Sequence, residues 1–479
     1  MTPNLPTMVK DARSVDDVVE VRAPYDGKLL ATLDAADGET IERALRTAHA
    51  LFHDRSNWLP KRRRIEILDR AVEIMRHQAP MLERLAAEEG GKPLLDSRIE
   101  VGRAIDGVRS AAEALRGQAG HEVPMGLDAA TEGRVAFTTH EPIGPIVAIS
   151  AFNHPLNLIV HQVAPAIAAG NPVIVKPAED TPLSCYRFVE ILREAGLPEA
   201  WCQALVVKDI GLATRLVTDE RVAFFSFIGS SDVGWMLRSK LAPGTRCALE
   251  HGGAAPVIVA ADADLDLAIP LLTKGGFYHA GQVCVSVQRV FCHASIAEQM
   301  AARLAEAAGN LHVGDPLLET TDVGPLIRSS EVNRVHEWVL EARRSGGTVL
   351  TGGRTLTDSC YSPTVLLNPP DHVAVSQREV FGPVVCVYAY DELDEALARA
   401  NALPMAFQAA VFTRDLDTAL DVSRRINASA VMVNDHTAFR ADWMPFAGLG
   451  RSGLGTGGIP HTFDDMQIEK MTVLRSQAL

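Results

Sequence analysis

"PIGPIVAISAFNHPLNLIVHQVAPAIAAGNPVIVKP", residues 142–177, decides the fold. Two short apolar runs, "PIGPIVAIS" and "NPVIVKP", suit strands buried on both faces of a sheet. Between them "LNLIVHQVAPAIAAG" has the length of a helix and ends at Gly170. Strand, helix, strand in that order is the repeating unit of a doubly wound α/β sheet. The rhythm continues outward through a helical "PLSCYRFVEILREAG", with Pro182 near its start and Gly196 near its end. "WCQALVV" follows as a strand, "IGLATRLVTD" as a helix, "RVAFFSFIG" as a strand, "SSDVGWMLRSKL" as a helix and "RCALEHGG" as a strand. Upstream, residues 40–120 place apolar residues at three- and four-residue spacing and read mostly as helix. Downstream of Gly253 the alternation resumes, which predicts a second α/β unit.

The 479 residues exceed what one core serves, so several domains are expected. Sixty acidic against 46 basic residues give a net charge of −14, which weighs against a sequence-independent nucleic-acid binder. No apolar run is long enough to span a bilayer, and the polar first residues carry no secretory h-region. A cytoplasmic protein without membrane or nucleic-acid partners is the expectation. Seven scattered cysteines with no C-x-x-C pair argue against a disulfide framework or a metal site. Residues 121–142 read as an extended hairpin, and the tail "QIEKMTVLRSQAL" as a strand without a local partner. Arm and tail together suggest pairing between subunits by strand addition.

Sheets of this kind bind ligands at the carboxyl ends of their strands, where helix N-termini meet phosphate. No G-x-G-x-x-G follows any of these strands. "FIGSSDVG" stands in its place, with Gly229 letting the backbone approach a ligand and Ser230 able to cap the helix or touch phosphate. Three further strand-end motifs suit a thiol at Cys284 in "GQVC". "LEHGG" ends a strand with Glu250, "FNHPLN" offers the amide of Asn153, and "REVFGP" sets Glu379 before an aromatic and a Gly-Pro turn. The other six cysteines read as small buried hydrophobes.

Taken in order, "FNHPLN", "KPAEDTP", "FIGSSDVG", "LEHGG", "GQVC", "EVFGP" and "PFAGLGRSGLG" resemble the aldehyde dehydrogenase superfamily from about Val21 to Val473. The resemblance implies a Rossmann-type cofactor domain (residues 1–120 and 143–251) and an α/β catalytic domain (residues 252–450). It also implies an oligomerisation arm and tail (residues 121–142 and 461–479), and a homodimer or homotetramer. The cofactor implied is NAD, with NADP tolerated by some relatives. Lys176 and Glu179 would hold the adenosine ribose, Gly229 and Ser230 the pyrophosphate, and Glu379 and Phe381 the nicotinamide ribose and ring. A carboxylate at Glu179 suits a free 2′-hydroxyl.

The chemistry needs a nucleophile that makes the aldehyde carbon tetrahedral before hydride leaves. Cys284 would supply it as a thiolate, its pKa lowered by electropositive surroundings or a nearby base. The Asn153 amide and the Cys284 N–H would hold the oxyanion, and Glu250 would activate water to hydrolyse the thioester. CoA-acylating relatives lack this glutamate, so hydrolysis is favoured. The sequence departs from the common pattern at His154, Gln162, His251 and Gly457, where relatives carry an aromatic, lysine, leucine and glutamate. His154, His161, Arg440 and His436 would bring polar or cationic groups to the aldehyde mouth, suiting a small hydroxylated or anionic substrate. The tail is most similar to the lactaldehyde, succinate-semialdehyde and phosphonoacetaldehyde dehydrogenase branch. The competing readings are a CoA-acylating dehydrogenase or thiol esterase on the same scaffold, and a non-catalytic NAD-binding protein.

Overall fold

The computed structural model describes residues 3–15 and 17–478; residues 1, 2, 16 and 479, which fall within the expected domain ranges, lie outside the description. The stretch at 142–177 folds as its pattern predicts. Strand Ile146–Ile149 leads through helix Asn157–Ala169 to strand Val173–Lys176, and Gly170 closes the helix with a left-handed φ of 94°. Strands Cys202–Ala204, Phe224–Ile228 and Arg246–Glu250 complete five parallel strands. Their spatial order runs Arg246–Glu250, Phe224–Ile228, Ile146–Ile149, Val173–Lys176, Cys202–Ala204, with Gly453–Leu454 added antiparallel at the first edge. The order reverses between Ile146–Ile149 and Phe224–Ile228. A crevice therefore opens beyond their carboxyl ends.

Period-two alternation divides the strand side chains between two cores. Ile146, Ala148, Val173 and Val175 pack with helices Lys61–His77, Leu94–Gly117, Asn157–Ala169 and Leu183–Glu194. Val147, Ile149, Ile174, Phe225 and Phe227 face the opposite layer, where helix Gly38–His53 contributes Ile41 and Leu45 and helix Ile210–Thr218 contributes Leu216. Both faces are covered, so the strands carry no polar face. The helical reading of residues 40–120 holds, with four helices between Gly38 and Gly117.

The second α/β unit has seven strands, ordered Thr348–Thr351, Thr364–Leu367, Val384–Tyr390, Val287–His293, Ala255–Val259, Gln408–Phe412 and Ala430–Val433. All neighbours are parallel except the first pair. Cys284 lies just before Val287–His293, at the amino end of that strand. The amino ends of this sheet thus face the carboxyl ends of the first, joined by the short link from Glu250 to Ala255.

The tail has no partner nearby in sequence and pairs instead with a distant segment of its own chain: Gln467–Arg475 runs antiparallel to Arg134–Pro142, from Gln467 opposite Pro142 to Arg475 opposite Arg134. Glu122–Val123 adds on the other side of the arm, making the hairpin expected from sequence. The partner is more than 300 residues away in the chain, which is why periodicity could not find it.

Candidate active site

A cleft of about 660 Å³ lies where the two sheets meet. Cys284, Glu250, Asn153, Lys176, Glu179, Gly229, Ser230, Glu379, Phe381, His154 and Arg440 all line it. His436 does not. It is buried behind the wall, where its ring packs against Gly275 of helix Leu265–Phe277 so closely that a Cβ on that glycine would lie 2.9 Å from His436 Cβ.

The loop bearing Cys284 is built by backbone contortion. His279, Ala280 and Gly281 take φ values of 49°, 55° and 69°, three left-handed residues in succession. Gly281 has to be glycine, since a Cβ there would meet the Gly382 carbonyl oxygen at 2.2 Å. Strain of this kind costs of order 1–3 kcal/mol per non-glycine residue and concentrates at functional sites. Gln282 braces the loop: its side-chain amide donates to the His279 and Pro325 carbonyls, and its Oε1 accepts from Ile327 N–H at 2.9 Å. Two more bonds bring the neighbouring strand ends to the thiol. Asn153 Nδ2 donates to the Gln282 carbonyl at 2.9 Å, and Gly253 N–H donates to the Cys284 carbonyl at 3.2 Å.

The electrostatics of the thiol differ from expectation. Burial pushes the Cys284 thiol up to about 12, and Glu379 and Glu250 push the same way. Arg440 supplies the expected electropositive help, but burial outweighs it. Burial also raises Glu250, with Arg440 opposing. The Glu250 carboxylate fills the space left by Gly457, where a Cβ would sit 2.1 Å from its Oε1. Gln162 is engaged in holding the sheet together. Its Nε2 donates to the Ile149 carbonyl at 3.1 Å and to the Ser226 carbonyl and hydroxyl at 3.2 and 3.0 Å, stitching the two strands where the sheet order reverses.

Residues on the other arm of the cleft fit a dinucleotide. Lys176 and Glu179 form an ion pair at a strand's carboxyl end. Ile210 and Val233, both exposed apolar side chains, line the cleft near them and suit the faces of a base. The Gly229 turn leads into helix Ser231–Arg238, and the Ser230 side chain makes no capping bond there, leaving its hydroxyl open to a phosphate. His251 supports this turn from below, its Nδ1 2.9 Å from the Gly229 carbonyl, and Gly234 leaves the room its ring needs. Glu379 is held against Gly252, and its buried Oε1 has no partner among the described residues. Burial raises its pKa to about 8. An orphaned buried carboxyl oxygen is suited to a sugar hydroxyl. Phe381, at a left-handed φ of 45°, meets Phe152 edge to face at 5.8 Å.

The residue pattern over the whole chain agrees. Residues 10–472 match the model of the aldehyde dehydrogenase family. The chain belongs to the aldehyde dehydrogenase family. A 3-sulfolactaldehyde dehydrogenase of Priestia aryabhattai is 37% identical over 456 residues, covering 95% of this chain and 94% of its own. Among solved structures, aldehyde dehydrogenase 21 of Physcomitrella patens, in complex with the reaction product succinate, superposes with a TM-score of 0.95 at 32% identity, covering 99% of both chains. A glyceraldehyde-3-phosphate dehydrogenase of Methanocaldococcus jannaschii bound to NADP gives a TM-score of 0.92 at 32% identity, covering 96% of this chain and 100% of its own. The protein is an NAD(P)-dependent aldehyde oxidoreductase.

Several cleft residues of this dehydrogenase escaped the sequence reading. Arg103 lines the cleft and grips Asp442 with two bonds of 3.0 and 2.7 Å, while His161 Nε2 lies 2.7 Å from the same carboxylate. Asp442 is thereby occupied, and Arg440 lies with its guanidinium 3.4 Å over the Phe446 ring, its Nη2 3.4 Å from His161 Nδ1 and its Nε without a partner among the described residues. Tyr278 and Lys92 also went unremarked. Nothing local marks such residues, because their partners lie on other elements.

Proposed function

We propose that this dehydrogenase oxidises a small anionic or hydroxylated aldehyde irreversibly to the carboxylic acid, by way of a thioester on Cys284. The observation that carries the reading is the convergence of Cys284, Glu250 and Asn153 on one cleft whose substrate end holds the guanidinium of Arg440, which meets His161 Nδ1 at 3.4 Å and forms no ion pair with a described carboxylate. Glu250, its pKa raised by burial, is the base that takes the Cys284 proton, because the buried thiol does not ionise unaided at neutral pH. The Cys284 sulfur then adds to the aldehyde carbon. The second N–H of the Asn153 amide and the Cys284 backbone N–H stabilise the oxyanion, a contribution of about 3 kcal/mol per donor. The dinucleotide, held by Lys176, Glu179, Gly229, Ser230, Glu379 and Phe381, supplies the hydride acceptor. Once Glu250 has released the Cys284 proton to bulk water, it removes a proton from the water that attacks the thioester, and the acid leaves as that proton returns to the Cys284 sulfur. Arg440 matches the sulfonate that gives the Priestia aryabhattai relative's substrate its name, and a carboxylate equally well.

Glu179 favours NAD over NADP in this reading, since its carboxylate repels a 2′-phosphate. The arm sheet supports a homodimer or homotetramer, because its outer strand Gln467–Arg475 exposes Met471, Val473 and Leu474 beside an unpaired backbone edge. The seven cysteines, none paired, accord with a cytoplasmic protein, and no described helix is long and apolar enough to cross a membrane.

The test is NADH formation from succinate semialdehyde, lactaldehyde and propanal without CoA, with free acid as product. Cys284→Ala should abolish NADH formation and leave NAD binding intact. Turnover that requires CoA, or that survives the substitution, would remove the hydrolytic thioester route.

A further inference from the structure

Behind the cleft wall runs a chain of buried polar groups that the chemistry above does not use. Lys92 is fully buried, and its ammonium meets the Glu100 carboxylate and His154 Nδ1, the latter at 2.8 Å. Glu100 Oε1 accepts the backbone N–H groups of Leu156 and Asn157 at 2.9 and 3.0 Å. Both oxygens of that carboxyl act as acceptors, Oε1 toward two backbone N–H groups at the start of a helix and Oε2 toward Lys92 Nζ. Burial lowers the Lys92 pKa and the Glu100 carboxylate opposes it, and the contact between them keeps Lys92 Nζ a donor.

The direction of every hydrogen bond in the chain then follows. An ammonium has donors and no acceptor, so His154 Nδ1 must accept. Burial and the neighbouring cations Lys92, Arg103 and Arg440 hold the His154 pKa well below its ordinary value, so the ring is neutral. Its single proton is on Nε2. Nε2 lies 3.1 Å from the Tyr278 hydroxyl oxygen, which has to accept. The phenolic hydrogen is left over, and no other described residue bonds to the hydroxyl. Tyr278 lines the cleft and packs in the same apolar cluster as Cys284.

We propose that Lys92 fixes the tautomer of His154 and so commits the Tyr278 hydroxyl to donate a hydrogen bond into the cleft, to an oxygen substituent on the aldehyde. Tyr278 is then a specificity residue that touches substrate, while His154 and Lys92 are positioning residues. The inference rests on the cleft being an aldehyde site, and it adds a selected feature: an electron-rich oxygen beside the carbonyl. Arg440 and Arg103 line the same cleft, so this donor belongs to a set that favours acceptors on the substrate.

Lactaldehyde and propanal, which differ by one hydroxyl, test it. Tyr278→Phe should lower kcat/KM for lactaldehyde about 10-fold, the scale of one lost hydrogen bond, and leave propanal within about 2-fold. His154→Phe should shift the same ratio in the same direction. Equal losses for both aldehydes in Tyr278→Phe would overturn the proposal. Nitrogen-15 NMR of the His154 imidazole in the wild-type enzyme gives a readout independent of turnover. A protonated Nε2 with bare Nδ1 supports the chain, and the opposite tautomer refutes it even if His154→Phe does not fold. Absence of NADH from both aldehydes in the wild type would instead count against the aldehyde reading, with the tautomer still deciding the hydrogen-bond chain.

Discussion

Gly457→Ala adds one methyl group beside Glu250, the proposed base. Its Cβ would lie 2.1 Å from Glu250 Oε1 and 3.1 Å from the Phe446 carbonyl oxygen. The backbone cannot retreat, because Gly457 and Phe446 exchange hydrogen bonds of 2.6 and 3.0 Å across a bridge. Alanine meets no conformational obstacle at this position, whose φ is not in the left-handed region. The carboxylate must therefore move, by on the order of 1 Å, and a displacement of that size in a reacting group costs about 10²-fold in rate. That is about 2.7 kcal/mol of barrier. Rapid mixing with aldehyde and NAD separates the steps, since the first-turnover NADH burst reports acylation and the steady state reports hydrolysis. The steady-state rate should fall about 100-fold and the burst by less. Unchanged steady-state turnover would refute both the need for that space and the role of Glu250 in hydrolysis.

The remaining predictions concern charge. With burial holding the Cys284 thiol up to about 12, its alkylation by iodoacetamide in the absence of substrate should rise roughly tenfold per pH unit between about pH 7 and 9; a flat profile would mean the thiol is already ionised. Glu379 has a folded pKa raised from 4.5 to about 8, so its contribution to stability is full below 4.5 and is lost as pH rises through 8. Thermal melts across that window should show a falling Tm that is shallower in Glu379→Gln, and identical slopes would contradict the burial of that carboxyl. Glu179→Gln removes the negative charge at the proposed ribose position and should raise the NADP-to-NAD ratio of kcat/KM about 10-fold, since the side chain is partly solvent-screened; an unchanged ratio would place cofactor choice elsewhere.

Local sequence marked the architecture and nominated the residues proposed to react. The doubly wound sheet was legible at residues 142–177 because strands buried on both faces are continuously apolar and a helix between them must cross over. Cys284, Glu250 and Asn153 stood out as candidates because each stands in a short motif at a strand end or glycine turn, and the fold brings all three to one cleft. Tertiary structure alone decided what surrounds them. The tail found the arm across more than 300 residues, His436 turned behind the wall, and Gly457 proved to be room for Glu250. The thiol's high pKa depends on how much water the fold excludes, which no local pattern records. The same holds for the Lys92–His154–Tyr278 chain, in which residues 92, 154 and 278 meet only because three separate elements pack together. Local sequence carries periodicity and turn chemistry, whereas charge state and hydrogen-bond direction belong to the neighbours that folding brings in.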